Sequence, residues 1–486
     1  MFTEPIDILV LFAVSLPFVG WVERRLHRNF LTGLYAVIGL ALSAFRLHPL
    51  LSQALESPVL LPIHAGAYHA CLRVDFLGAF MAAVFLTMSL LVAVYSIKYM
   101  ERDTGLPLYY ALLLFMAAGM LGVVFAGDFF TLFIFWELMC ISSYVLVAFR
   151  KRRWEPIEAG FKYLIMSSAG SATLLYGLSL LYGRTGTLNF VQLSKVMADA
   201  ADVWGYLTLV LVLVGFGVKA SVFMLHQWLP DAHPAAPSSI SALLSGVVIK
   251  AGVYGIVRAL FMVFPPPHFS WPAALAILAA LTMTYGNLAA MLQTDIKRLL
   301  AYSSIAQMGY ILFAVSTATS HGLTAGLLHV LNHALMKGLL FLCAGAFIYM
   351  AGTRKLSELR GIGHRMPITA ITFTVGALAI SGIPPLNGFV SEFMIVYAGI
   401  QAGSLPLTGV MLMNILLGFA YYLRLIKVIV WSTPSERLDG VREAPALMLA
   451  PMILIALLCV VIGVYPAPFV EAAERAAQAV IHPYEA

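Results

Sequence analysis

Long apolar runs follow one another along the whole chain. Fourteen are separable, near residues 6–22, 31–51, 76–97, 107–126, 129–149, 160–182, 204–226, 236–263, 272–292, 299–318, 321–350, 367–400, 405–431 and 445–466. A helix needs about 20 apolar residues to cross the hydrocarbon core of a bilayer. Membrane-spanning strands would instead alternate over about ten residues. The pattern therefore predicts an all-α polytopic membrane protein of about fourteen transmembrane helices. The joints are short, and the longest polar stretch, about 52–74, holds two prolines and is predicted to form a small turn outside the membrane. No soluble domain is predicted.

Composition agrees with the pattern. Of 486 residues, 61% are hydrophobic and 11% charged, and the mean hydropathy is +0.91. About a quarter of an ordinary soluble domain is charged, so these values exclude a cytosolic enzyme, a nucleic-acid binder and a disordered regulator. The net charge of +6 sits in short loops between apolar runs, where it is not a nucleic-acid signal. Cys71, Cys140, Cys343 and Cys459 are scattered, without the spacing of a disulfide framework, a zinc site or an iron–sulfur site.

Basic residues favour the cytoplasmic side of short loops. Joints after odd-numbered runs hold twenty of them, including Arg24, Arg25, Arg28, Lys98, Arg102, Arg150, Lys151, Arg152, Arg153, Lys297 and Arg354. The opposite side holds six: Arg46, Arg73, Arg184, Lys195, Arg258 and Arg475. This bias predicts that both termini face outward. The start is not predicted to be a cleaved signal, because its basic cluster follows the first apolar run. Three lysines, Lys219, Lys250 and Lys337, are left with no place except inside helices.

A Lys or Asp at the centre of a spanning helix costs about 2.5–3.5 kcal/mol on insertion scales. Five such residues stand out, Glu137, Lys219, Lys250, Lys337 and Glu392, with His329 and His333 nearby. Pairing between helices is the bland explanation for any two of them, but it does not account for seven polar groups on several helices. Glu137 lies nine residues past Asp128, about 13 Å along a helix and so near mid-membrane. His329, His333 and Lys337 recur at i, i+4 and i+8, on one helical face.

Two runs carry breakers. Gly215 and Gly217 precede Lys219, and Gly382-Ile383-Pro384-Pro385-Leu386-Asn387-Gly388 precedes Glu392. Broken helices at membrane depth line cavities or lie buried in protein, and breaks at matching places in two halves point to inverted repeats. The seventh and twelfth runs become equivalent if runs 4–8 and 9–13 form two inverted five-helix repeats. The expected organisation is 1–100 (three N-terminal helices), 101–265 (first repeat), 266–435 (second repeat) and 436–486 (fourteenth helix). The nominal G-x-G-x-x-A at Gly215 lacks the strand–turn–helix setting of a dinucleotide site. His226, Asp231 and His233 read as part of a structured turn rather than a metal site.

Such a row suits proton transfer. In a low-dielectric interior a lysine parts with its proton, and a carboxyl keeps its own, more readily than in water, while histidine already titrates near neutrality. The expected relay runs from Glu137 and Lys219 through Lys250 to His329, His333 and Lys337 and on to Glu392, with water closing gaps. Moving a charge against 100 mV costs about 2.3 kcal/mol, and no nucleotide or redox site is evident in the chain to supply it. An ion gradient or a partner subunit must.

Four stretches carry a resemblance. They are Phe216–Ala220 leading into His226-Gln227-Trp228-Leu229-Pro230-Asp231-Ala232-His233 and Ala236–Ser238; Asp295–Ser304; His329–Lys337; and Ser381–Phe389. In these the sequence resembles the proton-translocating, antiporter-like subunits of respiratory complex I (L-, M- and N-type), membrane-bound hydrogenases and Mrp-type antiporters. The resemblance covers about runs 3 to 13 and implies the fourteen-helix, twice-repeated fold. It also implies roles: Glu137 as carboxylate partner on helix 5, Lys219 as the helix-7 lysine, Lys250 as the central lysine, His333 and Lys337 as links on helix 11, and Glu392 as the terminal group on helix 12. A glutamate at that last position is similar to the M-type branch, whereas Asn332-His333 and Ile383–Gly388 look closer to the hydrogenase-linked and Mrp D-type branches. The short stretch after run 14 implies no long lateral helix of the L-type. The parent complex is left unassigned.

The expected function is that of a proton-translocating membrane subunit in a complex I-like, redox-driven complex, either an NADH or F420H2:quinone oxidoreductase or a membrane-bound hydrogenase. A subunit of an Mrp-type cation/proton antiporter is the alternative. A structural anchor with vestigial charges and a small-solute carrier are weaker. The expected partners are other membrane subunits, the lipid bilayer and protons or sodium, with no nucleic acid. No cofactor or metal is expected in this chain, and flavin and iron–sulfur clusters are expected in partner subunits. The expected location is an energy-coupling membrane, a prokaryotic plasma membrane.

Overall fold

The computed structural model describes residues 5–26, 30–62, 71–197 and 201–481. Arg28, residues 63–70 of the long polar stretch and the side chain of Cys71 lie outside the described residues. Twelve helices among those described are long and apolar enough to cross a membrane, starting with Pro5–Arg25 and ending with Ala446–Val464. Two shorter apolar helices, Val203–Lys219 and Pro367–Ala379, each stop at an interruption. A two-stranded antiparallel hairpin, Val59–Pro62 with Cys71–Val74, fills part of the long polar stretch.

Local chemistry explains the ends of these helices. Asp75, Asp128, Asp202, Asp295 and Thr319 stand at N-caps, where their side-chain oxygens accept from backbone N–H groups that the helix leaves unpaired. Proline occupies the first turn at Pro107, Pro272, Pro367 and Pro406, where its missing N–H is not needed. Gly186 and Gly352 end the two 32-residue helices in the left-handed conformation.

The bundle has a clear inside. Ser238–Val263 is wholly buried and Ile296–Ser316 is 94% buried, whereas Pro5–Arg25 is 33% buried. The long helix Ser320–Ala351 is the axle. It packs against Ile296–Ser316, both halves of the second interrupted segment, Ala446–Val464 and the last helix. A helix apolar all round belongs in such a setting, so the polar residues on these inner helices are the informative ones.

The structure departs from the sequence pattern in four places. Helix Trp154–Thr185 outruns the apolar stretch 160–182, because Glu155 and Glu158 occupy a first turn that already makes ion pairs. The eighth run contains two π-helical turns, Leu244–Val248 and Ala259–Val263, which hydrophobicity does not encode. A further amphipathic helix, Ala467–Ile481, follows the fourteenth run and lies against Ser320–Ala351 and Phe76–Tyr99. Two cations assigned to loops are interior. Arg258 is 2% exposed and bonds Asp75 at 2.5 Å, and Lys297 is 3% exposed with its Nζ donating to the Ala236 carbonyl at 2.6 Å. The excess of basic residues at one end survives their removal from the count.

Candidate functional site: a buried polar row

The first interrupted segment ends its helix at Lys219, which is buried. Its Nζ donates to the Tyr163 hydroxyl at 2.7 Å and reaches Ser143 Oγ at 3.5 Å, and those two hydroxyls are 2.9 Å apart. The Tyr163 ring stacks on Trp228, centroids 4.0 Å apart, and the Trp228 indole N–H donates to the Val218 carbonyl at 2.8 Å. One aromatic pair thus holds the lysine's partner and adds a donor to a carbonyl at the break. The break is made by Ser221 and Met224, both at positive φ. Gly215 and Gly217 stay helical. Gly215 is there for packing, since a Cβ would sit 2.5 Å from the Leu174 Cβ.

Glu137 lies at the middle of helix Phe129–Val147, as the count from Asp128 predicts. It makes no ion pair with Lys219 among the described residues; it is half-buried and its Oε1 has no hydrogen-bond partner. Lys219 is held by hydroxyls and aromatic faces instead.

Lys250 is fully buried, directly after the first π-turn. Lys250 Nζ donates to the Ser245 carbonyl within that turn; π-turns inside α-helices often mark functional positions. The same Nζ is 2.5 Å from His333 Nδ1. Gly252, on the same helix, lets it pass the first break, because a Cβ there would meet the Ala220 nitrogen at 2.6 Å. Among the described residues no hydrogen bond joins Lys250 to Lys219. Ser221, beside Ala220, has a buried hydroxyl without a partner.

Two branches lead on from Lys250. Ser245 Oγ lies 2.7 Å from Ser304 Oγ, which donates to the Leu300 carbonyl at 2.9 Å. Lys337 Nζ donates to that same carbonyl at 2.9 Å and to the Tyr422 hydroxyl at 2.9 Å. The other branch passes along the axle, where the His333 and His329 ring centroids are 6.1 Å apart and His333 Nε2 has no partner. His329 bonds Ser391 Oγ through Nδ1 at 2.9 Å and Gln307 Oε1 through Nε2 at 2.7 Å. Gln307 also lies beside the Glu392 carboxyl, so one amide stands between imidazole and carboxylate.

Glu392 follows the second break, on helix Asn387–Gln401. Gly382 is required there twice. Its φ is +70°, and a Cβ would lie 2.3 Å from Glu392 Oε2. Asn332 and Asn387 lock the broken segment to the axle through Asn332 Nδ2 to the Asn387 carbonyl at 2.8 Å and the return bond at 3.2 Å. Lys219 closes the helix before its break, while Glu392 stands on the helix after its own. The two charges therefore occupy opposite halves of their interrupted segments.

The structure thus groups Lys250, His329, His333, Lys337 and Glu392 in one buried region and leaves Lys219 and Glu137 beside it. Sequence reasoning missed Tyr163, Ser143, Gln307, Ser304 and Tyr422. Hydroxyls and amides are common in any helix, so no one-dimensional signal marks them. His233 is fully buried and stacked on Phe341 at 4.6 Å, with both ring nitrogens unpartnered. No group of three or more His, Cys, Asp or Glu suited to a metal occurs among the described residues.

The family model for the transmembrane region of NADH:quinone oxidoreductase/Mrp antiporter proteins matches residues 126–418, and that for the N-terminus of NADH-ubiquinone oxidoreductase (complex I) chain 5 matches 62–110. The N-type subunit of the F(420)H(2) dehydrogenase of Methanosarcina mazei is 34% identical over 420 residues, covering 84% of this chain and 85% of that protein. The D-type subunit of the Na(+)/H(+) antiporter of Bacillus subtilis is 29% identical, covering 99% and 97%. A chain of the membrane-bound sulfane sulfur reductase, an archaeal respiratory membrane complex, superposes with a TM-score of 0.89 at 31% identity, covering 98% of this chain and 97% of the other.

Proposed function

Because the chain belongs to the transmembrane family of NADH:quinone oxidoreductase and Mrp antiporter subunits, we propose that it carries protons across the membrane within a complex I-like, redox-driven complex. The observation that carries this reading is the row formed by the contact Lys250–His333 and the bond His329–Gln307 with Glu392 beside it, every member of which is buried in the bundle. An isolated charge at that depth is expensive, whereas a chain of titratable groups in hydrogen-bonding register has a use for it. The likeness to a dehydrogenase subunit supports an electron-transfer partner as the energy source, with flavin and iron–sulfur groups in other subunits.

In this mechanism Lys219, held by Tyr163 and Ser143, exchanges its proton with Lys250 through water beside the Ser221 hydroxyl. Glu137, half-buried at mid-membrane depth and without an ion pair among the described residues, sets the charge state of Lys219. Lys250 hands on to His333 through the existing contact. A water at the open Nε2 of His333 connects to His329, and water beside Gln307 connects His329 to Glu392. A lysine ammonium donating to His333 Nδ1 requires the hydrogen of a neutral imidazole to be on Nε2, which faces that gap. The twelve long helices and the two interrupted segments amount to fourteen crossings, with 101–265 and 266–435 as the inverted repeats and both termini outside a prokaryotic plasma membrane.

The test is proton uptake in inverted vesicles carrying the assembled complex, with Lys219→Ala, Lys250→Ala and Glu392→Gln. Pumping that survives all three substitutions at the normal rate would sink the proposal. A second reading, a subunit of a cation/proton antiporter, is favoured by the near-complete alignment with the Bacillus antiporter protein. Sodium-dependent exchange by a purified complex devoid of flavin and iron–sulfur absorbance would select it.

A further inference from the structure

A cavity of about 880 Å³ opens at the end of the bundle where helix Phe129–Val147 finishes and helix Trp154–Thr185 begins. We propose that it binds an anionic phospholipid of the phosphatidylglycerol type, headgroup inward and acyl chains along the outer face of the bundle. This inference needs only the membrane setting and does not rest on the proton-transfer reading.

The cavity has two unlike walls. Arg102, Arg150, Lys151, Arg152 and Arg153 line one of them. Arg150 is engaged by Asp103 at 2.8 Å, and Arg102 lies over the Tyr349 ring at 4.5 Å. Lys151, Arg152 and Arg153 make no ion pair among the described residues. The nearby carboxylates are committed elsewhere: Glu101 to Lys98 at 2.7 Å, Glu155 to Arg354 at 3.4 Å and Glu158 to Lys162 at 2.9 Å. Three positive charges are therefore left facing one space without compensation, an arrangement that attracts a phosphate diester.

The other wall is apolar and belongs to membrane-spanning helices. Leu108, Val145, Ile157 and Phe161 line it, and all four are exposed on the outside of the bundle, where acyl chains run. Trp154, 72% exposed at the start of its helix, marks the level of the headgroups, where tryptophan is enriched. A free phosphate or nucleotide would use the basic wall alone. A phospholipid uses both, with its charge and its chains in the order in which the walls present them.

The experiment uses the full chain purified with its accompanying subunits, probed by native mass spectrometry with dioleoyl phosphatidylglycerol and dioleoyl phosphatidylcholine. A diazirine-labelled phosphatidylglycerol maps the contact by cross-linking. Phosphatidylglycerol is expected to bind in preference, to weaken about fivefold for each of Lys151→Gln, Arg152→Gln and Arg153→Gln, and to cross-link within 145–164. Phe161→Ser should weaken lipid binding without touching the charges. Arg475→Gln, at the other end of the bundle, should change nothing. Equal binding of the two lipids, an undiminished preference in the single variants, cross-links confined to other helices, or glycerol phosphate binding as tightly as the lipid would each overturn the proposal. So would a cavity filled by a partner subunit and unlabelled in the assembled complex.

Discussion

Lys250 Nζ and His333 Nδ1 lie 2.5 Å apart, across two helices whose contacting residues are 83 positions apart in sequence. Two basic groups at that separation cannot both be charged without severe repulsion in a low-dielectric interior. The pair therefore carries at most one positive charge at rest. That is what a transfer point needs and what a purely structural contact would avoid.

His333→Ala should leave Lys250 with the Ser245 carbonyl as its one partner and cut the branch toward Glu392. Proton uptake is expected to fall on the order of a hundredfold, the usual worth of a positioned acid–base group, with the complex still assembled. Acridine-dye quenching in inverted vesicles, scored beside native-gel assembly, measures both. Undiminished quenching would remove the histidine from the route.

Gln307 has no charge, yet it bonds His329 and lies beside Glu392. Gln307→Leu leaves the buried His329 Nε2 short of its partner, at about 1–3 kcal/mol. Reduced pumping and a lower melting temperature are expected together. Gln307→Glu should restore the melting temperature better than the pumping, because a carboxylate keeps an acceptor for His329 but faces Glu392 with like charge. Thermal unfolding in detergent compared with uptake separates the two effects.

Gly382→Ala places a methyl where the Glu392 carboxylate now sits and forces a left-handed φ on a residue with a Cβ, a strain of about 1–2 kcal/mol. Glu392 must move, so this substitution should mimic Glu392→Gln in transport. Ala at Gly403, also left-handed but with open space around it, should cost only stability. Transport assays on the two variants side by side decide whether displacement of the carboxylate matters.

The buried pair Arg258–Asp75 ties two inner helices together. Asp75→Ala strands the guanidinium and removes an N-cap, so a loss of about 3–5 kcal/mol is expected. The double change Asp75→Leu with Arg258→Met should recover most of it. Steady-state abundance in the membrane and detergent unfolding curves report the difference; a double variant no better than the single one would show that the charges themselves are needed.

The apolar runs made the helices legible because a spanning segment must satisfy its own backbone and cover itself with apolar side chains. The same demand made Lys219, Lys250, Lys337, Glu137 and Glu392 conspicuous, since each violates it. The period of four along the axle placed His329, His333 and Lys337 on one face before any coordinates did. The breaks were legible in place but not in cause: Gly215 packs against Leu174, and Ser221 and Met224, which look ordinary in the sequence, turn the chain. Arg258 and Lys297 were misplaced because a charge near a helix end looks the same whether it reaches solvent or turns inward to a carboxylate or a carbonyl.

A membrane bundle with a set of charges too deep to be accidental could be read from the residues alone, because hydropathy and cost of burial depend on residue type and local neighbours. Which of those charges touch was decided only by the tertiary structure. Lys250 meets His333 directly, Gln307 bonds His329 beside Glu392, and a tyrosine instead of a carboxylate holds Lys219. These are relations between side chains on different helices, and their distances follow from how the helices cross, which no single segment encodes.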